Sequence, residues 1–140
     1  LTYSGHPLAC AAAVATITAM RDEGIVENAD RIGREVLGPG LRALAERYPV
    51  TGEVRGLGVF WALELVTDRA TREPLAPYSG TSPAMSELTA ACKHGGLLPF
   101  VNFNRLHVVP PRTITEAEAK EGLAILDQAL AVADKYYIDA

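Results

Sequence analysis

The sequence has few cysteines, few aromatic residues and no long apolar run. Its 140 residues include only two cysteines, Cys10 and Cys92, which are too few for a disulfide framework. We expect two buried thiols in a reducing compartment and therefore a cytoplasmic protein, with a single disulfide as the alternative. No apolar run approaches the roughly 18 residues that cross a membrane. The first residues also lack the pattern of a signal peptide.

Charge of one sign is not concentrated anywhere in the chain. The 13 lysines and arginines are scattered among 17 acidic residues, and the formal net charge is -4. Nucleic acid would favour a clustered basic face, so neither nucleic acid nor a membrane is expected as a partner. The hydrophobic share of 49% and the charged share of 21% are typical of one globular domain with a sizeable core.

Several catalytic motifs are missing. His6, His94 and His107 have no metal-ligand spacing, and we expect no metal site. No G-x-S-x-G elbow is present. Arg55-Gly56-Leu57-Gly58 lacks the third glycine of a dinucleotide loop and precedes a strand, so these glycines are interpreted as structural, at a bulge or a close backbone approach.

The first half of the chain reads as helices. His6 followed by Pro7 predicts a cap and a helix that runs to about Glu23. This helix is apolar nearly all round, which predicts burial on several sides. A second helical stretch covers residues 25–47, and its Gly38-Pro39-Gly40 segment predicts a kink or break near residues 36–40.

The second half mixes strands and helices. From Thr51 apolar residues largely alternate as far as Leu65, which predicts one half-buried strand. The other expected elements are a polar loop over 67–82, a helix from 83 to 95, strands over 97–101 and 106–109, and a last helix after the Thr115–Glu118 capping box. We expect Trp61, Phe100 and Phe103 in the core and Glu64 facing solvent. The order predicts an α+β fold, with helices packed on a small, mainly antiparallel sheet.

Two stretches could carry chemistry. Residues 2–5, Thr-Tyr-Ser-Gly, precede a helix N-terminus. They are expected to form either a binding site for a phosphate or another anion or an ordinary helix cap. In residues 104–112, Arg105 and Arg112 flank an apolar strand and could hold a carboxylate, although surface arginines are the simpler interpretation. Because side chains alternate along a strand, Arg105 and His107 should share one face.

Taken together, three blocks resemble a known family. TYSGHPLACAAA, VRGLGVFWALELV and RLHVVPPRTITEAEAKEGLAIL resemble the C-terminal third of class III aminotransferases, pyridoxal-phosphate enzymes that include ω-amino-acid:pyruvate transaminases. The resemblance implies the small C-terminal domain of a fold type I enzyme. Residues 1–24 would be the end of the large cofactor domain and the interdomain helix, and residues 25–140 the small domain. It also implies a homodimer with a shared active site.

The resemblance assigns roles to a few residues. Thr2 would bind the phosphate of pyridoxal 5'-phosphate held by the neighbouring subunit. The family's substrate-carboxylate arginine stands three residues before the first proline of the Pro-Pro pair, where this chain has His107. Arg105 is a nearby substitute, so Arg105 and His107 are the substrate-binding candidates. No catalytic residue is assigned, because the family's Schiff-base lysine comes earlier in the chain, and Lys93, Lys120 and Lys135 have no matching context.

The resemblance implies that this chain is a fragment of a longer enzyme. The parent enzyme would move an amino group from an amino donor to a keto acid such as pyruvate, and the 140-residue chain alone would be inactive. One alternative keeps the cofactor and changes the reaction to that of a decarboxylase or an aminomutase. The other is a non-catalytic binding module that keeps the small-domain fold.

Overall fold

The computed structural model describes residues 4–138, which form helices and one four-stranded sheet. The helices are α1 (Pro7–Asp22), α2 (Ile25–Ile32), a π-helix (Gly33–Leu37), α3 (Gly38–Arg47), α4 (Pro83–His94), α5 (Glu116–Ala133) and a final 3-10 turn (Asp134–Tyr136). The strands are β1 (Thr51–Leu57), β2 (Phe60–Leu65), β3 (Phe100–Asn102) and β4 (Arg105–Val108). The predicted α+β fold is confirmed.

All strand pairs are antiparallel, and the order across the sheet is β1-β2-β4-β3. One face of the sheet turns inward and carries Trp61, Leu63, Leu65 and Leu106, all buried. These side chains belong to one hydrophobic cluster with residues of every helix from α2 to α5. The opposite face, which we call the outer sheet face, carries the alternate residues of the strands, among them Phe60, Glu64, Arg105 and His107.

The expected single strand over 51–65 is wrong, because the segment is a β1–β2 hairpin. Gly58 takes a left-handed backbone conformation (φ 54°), and Leu57 pairs with Phe60 across the turn. The indole Nε1 of Trp61 donates to the Gly58 carbonyl oxygen at 2.6 Å and closes the turn. The alternation of apolar residues continues through the turn, so the pattern gave no sign that a turn is present. Leu57 in fact points outward and is 83% exposed.

The expected burial of α1 is also wrong for this chain. No residue of α1 is buried; Leu8 is 73% exposed and Ile17 67%. Among the described elements α1 contacts chiefly α2, so no neighbour covers its apolar surface. Cys10 lies on this helix and is exposed, which corrects the expectation of two buried thiols, whereas Cys92 in α4 is buried.

The second helical stretch is not broken, but its middle is irregular. The chain stays helical from Ile25 to Arg47, but it changes to a π-helix over Gly33–Leu37 before α3 begins. Pro39 has no N–H to donate to a carbonyl oxygen of the preceding turn, and that turn is the π-helix. The expected irregularity therefore begins a few residues earlier than the proline suggested, as a wide turn.

Helix starts and aromatic residues were predicted with mixed success. The Ser82 hydroxyl caps α4 by accepting from Met85 N at 3.2 Å, and the Thr115–Glu118 capping box opens α5. Trp61 is buried as expected, whereas Phe100 is 64% exposed because it lies on the outer face of edge strand β3. No described helix is both long and apolar enough to cross a membrane. The described residues bring no three potential metal ligands together.

Candidate functional site

The outer sheet face brings the two sequence-predicted residues of β4 together. Leu106 points into the core, so Arg105 and His107 on either side of it point outward, as strand alternation predicted. In the register of the sheet, His107 lies opposite Ala62 and Phe100, and Arg105 lies opposite Glu64 and Asn102. The face therefore has an aromatic end around His107 and a charged end around Arg105.

Aromatic rings surround His107. Its ring centroid lies 5.2 Å from that of Phe100 and 6.3 Å from that of Phe60. Partial burial lowers the pKa of His107 below its ordinary value of 6.5, and the positive charges of Arg105 and Arg55 lower this pKa further. The imidazole is therefore neutral at neutral pH. It can contact an apolar group or exchange a hydrogen bond, but it does not supply a positive charge.

The charged end of the face is a network of ion pairs. Arg55 Nη1 lies 2.8 Å from Glu64 Oε2 and 3.3 Å from Glu53 Oε1. Arg72 Nη2 donates to Glu53 Oε2 at 2.6 Å. The hydrogen bond from Arg72, followed by the charge of Arg55, lowers the pKa of Glu53. Glu64 faces outward as expected, but it is half-buried because it is held by Arg55.

Arg105 differs from the two other arginines of this face. Within residues 4–138 its guanidinium has no carboxylate partner, because Glu64, its cross-strand neighbour, pairs with Arg55. The guanidinium carbon instead lies 5.9 Å from the centroid of the Phe103 ring. Arg105 thus keeps its donors open for an anion, and guanidinium groups bind carboxylates by two parallel hydrogen bonds.

Arg105 opens onto a cavity of about 280 Å³, which we call the Arg105 cavity. Its walls are Glu64, Arg72, Pro74, Ala76, Tyr78, Phe103 and Asn104. The rings of Tyr78 and Phe103 lie 4.9 Å apart at an angle of 53°. His107 borders a different, mainly apolar cavity of about 280 Å³ with Leu98, Pro110 and Leu123. The two candidates therefore share a face but line separate cavities.

The sequence did not point to Arg72 and Tyr78, which lie in the segment 67–82 interpreted only as a polar loop. A backbone hydrogen bond from Leu75 N to Leu65 O holds this segment against β2, and one from Thr67 N to Glu73 O closes a loop within it. Asn104 Nδ2 donates to Leu65 O at 2.9 Å and fixes the β3–β4 turn beside it. Arg72, Ser79 and Phe103 all have positive φ, near 60°. The only feature of the sequence that could have indicated a role for this segment is a tyrosine within a proline-containing loop.

The other candidates lie away from this face. Thr2 lies outside the described residues; Ser4, Gly5 and His6, which follow it, are exposed, and the His6 side chain makes no capping hydrogen bond. Arg112 lies in the turn before α5 and lines a third cavity with Arg31 and Glu116. Lys93, Lys120 and Lys135 are exposed on helical surfaces.

Comparisons with known proteins agree on one family. The chain matches Aminotransferase class-III over residues 1–130. It is 34% identical over 139 residues to ethanolamine-phosphate phospho-lyase homolog 1 of Caenorhabditis elegans, covering 96% of this chain and 28% of that protein. It is 33% identical over 143 residues to the taurine–pyruvate aminotransferase of Bilophila wadsworthia (strain 3_1_6), covering 97% of this chain and 30% of that protein.

Solved structures give the same result. An amine transaminase from an uncultivated Pseudomonas species, in its PLP-bound form, is 40% identical with a TM-score of 0.82, covering 94% of this chain and 29% of its own. A taurine:2-oxoglutarate aminotransferase from Bifidobacterium kashiwanohense, in complex with PLP and glutamate, is 33% identical with a TM-score of 0.85, covering 96% and 30%. The chain thus spans less than a third of the length of the proteins it matches.

Proposed function

The chain belongs to the class III aminotransferases, and we propose that it forms part of an enzyme that moves an amino group from an amino donor to a keto acid such as pyruvate. The observation that carries this proposal is Arg105, an unpaired guanidinium at a cavity on the outer sheet face. A keto acid and its amino-acid product both have a carboxylate that such a group can hold by two hydrogen bonds.

We propose pyridoxal 5'-phosphate as the cofactor of the whole enzyme; the PLP-bound amine transaminase that this chain resembles supports this. The residues described here do not fit the cofactor by themselves. None of Lys93, Lys120 and Lys135 lines any of the three cavities described above, and Lys120 pairs with Glu116 at 2.7 Å. Thr2, the proposed phosphate contact, lies outside the described residues. The 140-residue chain is therefore proposed to be inactive alone and to contain no catalytic residue.

The proposed domain division is residues 1–24 as the end of a large domain with the interdomain helix, and residues 25–140 as the small domain. The exposure of α1 supports this division, because the hydrophobic cluster begins only at Ile32 and α1 adds no buried residue to it. A homodimer with a shared active site is proposed from the resemblance to the family, and the apolar surface of α1, which needs a covering surface, supports an association of this kind. The cytoplasmic location stays a prediction from cysteine usage.

In the proposed enzyme the two β4 residues have different tasks. Arg105 binds the carboxylate of the substrate, and its fork of donors fixes the orientation of that group. His107, neutral between Phe60 and Phe100, contacts an uncharged part of a substrate. These residues bind and orient substrates and hold no proton of the reaction.

A second candidate function is a different reaction with the same cofactor. The similarity to ethanolamine-phosphate phospho-lyase homolog 1 of C. elegans favours it, because that name describes an elimination of phosphate and not an amino transfer. A decarboxylase or an aminomutase belongs to the same alternative, since one fold hosts several reactions.

The test starts from the protein as its source makes it. Borohydride reduction followed by intact mass and peptide mapping would locate a pyridoxyl-lysine, and product analysis with ω-amino acids and pyruvate would identify the reaction. We expect a longer protein, labelled on a lysine outside residues 1–140, that forms alanine from pyruvate. CO₂ from an ω-amino acid without alanine, or phosphate release when ethanolamine phosphate is added as substrate, would favour the second candidate. A protein of about this length that carries no pyridoxyl label would support the non-catalytic binding module instead. Turnover by these 140 residues alone would contradict their proposed inactivity.

A further inference from the structure

The charged side chains around the Arg105 cavity have an excess of one positive charge, which one negative charge of a ligand would balance. Three arginines, Arg55, Arg72 and Arg105, and two glutamates, Glu53 and Glu64, lie together at this end of the outer sheet face. The two carboxylates are already bound by Arg55 and Arg72, at 2.6 to 3.3 Å. The described residues therefore provide one unpaired guanidinium and two carboxylates that would repel a second anionic group.

The walls of the cavity suit an apolar body. The rings of Tyr78 and Phe103 meet at 4.9 Å beside the guanidinium of Arg105, and Pro74 and Ala76 complete the apolar lining. Tyr78 is 86% exposed, so its ring is open on one side. An aromatic ring of a ligand can stack there while its acid group reaches Arg105.

We propose that the Arg105 cavity binds a monocarboxylate with an aromatic or apolar body, in preference to a dicarboxylate or an uncharged analogue. That this ligand is the keto acid or amino acid of the transfer reaction rests on the proposed function. The comparisons do not decide the acceptor. The chain is 33% identical both to a taurine–pyruvate and to a taurine:2-oxoglutarate aminotransferase, whose acceptors are a monocarboxylate and a dicarboxylate.

Binding can be measured with unreactive probes on the protein as its source makes it. By isothermal titration calorimetry, 3-phenylpropanoate should bind about tenfold more tightly than 3-phenylpropanamide, since one charged hydrogen-bonded contact contributes roughly that factor. It should also bind more tightly than glutarate, whose second carboxylate would be repelled by Glu64 and which has no ring to stack on Tyr78. Arg105→Gln should abolish this preference. Arg34→Gln, which removes one positive charge on the exposed surface of the π-helix, should leave it unchanged.

A second variant separates stacking from charge. Tyr78→Leu removes an exposed ring, so the fold should be preserved. This substitution should weaken the binding of 3-phenylpropanoate and leave the binding of propanoate unchanged. Equal or tighter binding of glutarate, or an Arg105→Gln variant that folds with an unchanged circular dichroism spectrum and still binds 3-phenylpropanoate normally, would overturn the proposal.

Amino transfer distinguishes this inference from the proposed function. With phenylpyruvate and 2-oxoglutarate as acceptors, phenylpyruvate should be preferred in kcat/KM. Faster transfer to 2-oxoglutarate would disprove the ligand class but leave the aminotransferase. Tight binding of 3-phenylpropanoate without transfer to any acceptor would disprove the proposed function but leave the site.

Discussion

Gly33 and Gly58 meet backbone to backbone: a Cβ atom on Gly33 would lie 1.9 Å from the carbonyl oxygen of Gly58. Gly33 begins the π-helix, and Gly58 forms the turn of the β1–β2 hairpin. The same carbonyl accepts the 2.6 Å hydrogen bond from Trp61 Nε1, so it cannot move away freely. This contact sets how closely the helical segment docks on the sheet.

Replacing Gly33 by alanine should therefore destabilise the fold strongly. The added methyl group would overlap backbone atoms, and relief requires the helix and the hairpin to separate. We expect a loss of about 3 kcal/mol in the free energy of unfolding, at the top of the usual range for overpacking. Urea denaturation followed by circular dichroism measures it.

Gly122→Ala is the matched control for this substitution. Gly122 lies within α5, and a Cβ atom there would meet nothing within 4 Å. Alanine should stabilise the chain by about 0.5–1 kcal/mol, since it favours the helix more than glycine does. Equal effects of the two substitutions would show that the Gly33–Gly58 contact is not tight.

Local signals predicted much of this fold. The glycines of residues 55–58 indicated a bulge or close approach, and Gly58 is indeed contacted closely. Yet the turn they form was missed, because Leu57 and Val59 continued the apolar alternation. The structure shows that Leu57 points outward and Val59 is buried in the turn. Period alone cannot separate a strand from a hairpin when turn residues are also apolar.

The candidate site was predictable only in part. The shared face of Arg105 and His107 follows from their spacing on one strand. Their separate cavities do not, because the Arg105 cavity depends on Arg72 and Tyr78, whose loop is placed beside β2 by a backbone hydrogen bond from Leu75 to Leu65 that the pattern of apolar residues does not predict. The lowered pKa of His107 likewise depends on burial, which only the folded chain provides, and on the charges of Arg105 and of Arg55, which is far from it in sequence.

Removing the α5 cap should have a moderate effect. The Thr115 hydroxyl accepts from Glu118 N at 3.3 Å, and Glu118 Oε2 accepts from Thr115 N at 2.8 Å. Thr115→Ala should lower the free energy of unfolding by about 1 kcal/mol. Thr113→Ala, two residues earlier on the exposed turn, should change it little. A similar loss for both variants, measured by urea denaturation, would contradict the role of the cap.

The two thiols should differ sharply in reactivity. Burial raises the pKa of the Cys92 thiol to about 11, whereas Cys10 is exposed on α1. At pH 8 iodoacetamide should label Cys10 alone in the folded 140-residue chain, and both cysteines in urea, because the thiolate is the reactive form. Intact mass and peptide mapping distinguish the two. Rapid labelling of Cys92 in the folded chain would contradict its burial.

The lowered pKa of His107 should be visible in titration and in stability. Burial is the larger cause and the charge of Arg105 the next. In an NMR titration, Arg105→Gln should therefore raise the pKa of His107 without restoring it to 6.5. The unfolded chain takes up this proton first as the pH falls through 6.5, so the folded state loses stability from there down to the lower folded-state pKa.

His107→Gln should remove that part of the pH dependence. The variant and the original chain should keep a constant difference in unfolding free energy above pH 6.5, and that difference should shift in favour of the variant below it. Chemical denaturation at a series of pH values measures this. A difference that stays constant through the whole range would show that the pKa of His107 is the same in both states.

The exposed surface of α1 should make the isolated 140-residue chain associate. Leu8, Val14 and Ile17 are each about two-thirds or more exposed, and the helix is apolar nearly all round, so water contacts a continuous apolar surface. Sedimentation velocity should show an average mass that rises with concentration. Leu8→Gln combined with Ile17→Gln should reduce this association, because it places two polar groups on the helix. Val26→Gln, on the neighbouring α2, should not. A chain that stays monomeric at every concentration would contradict the exposure of α1. It would indicate that this helix packs against the rest of the domain instead.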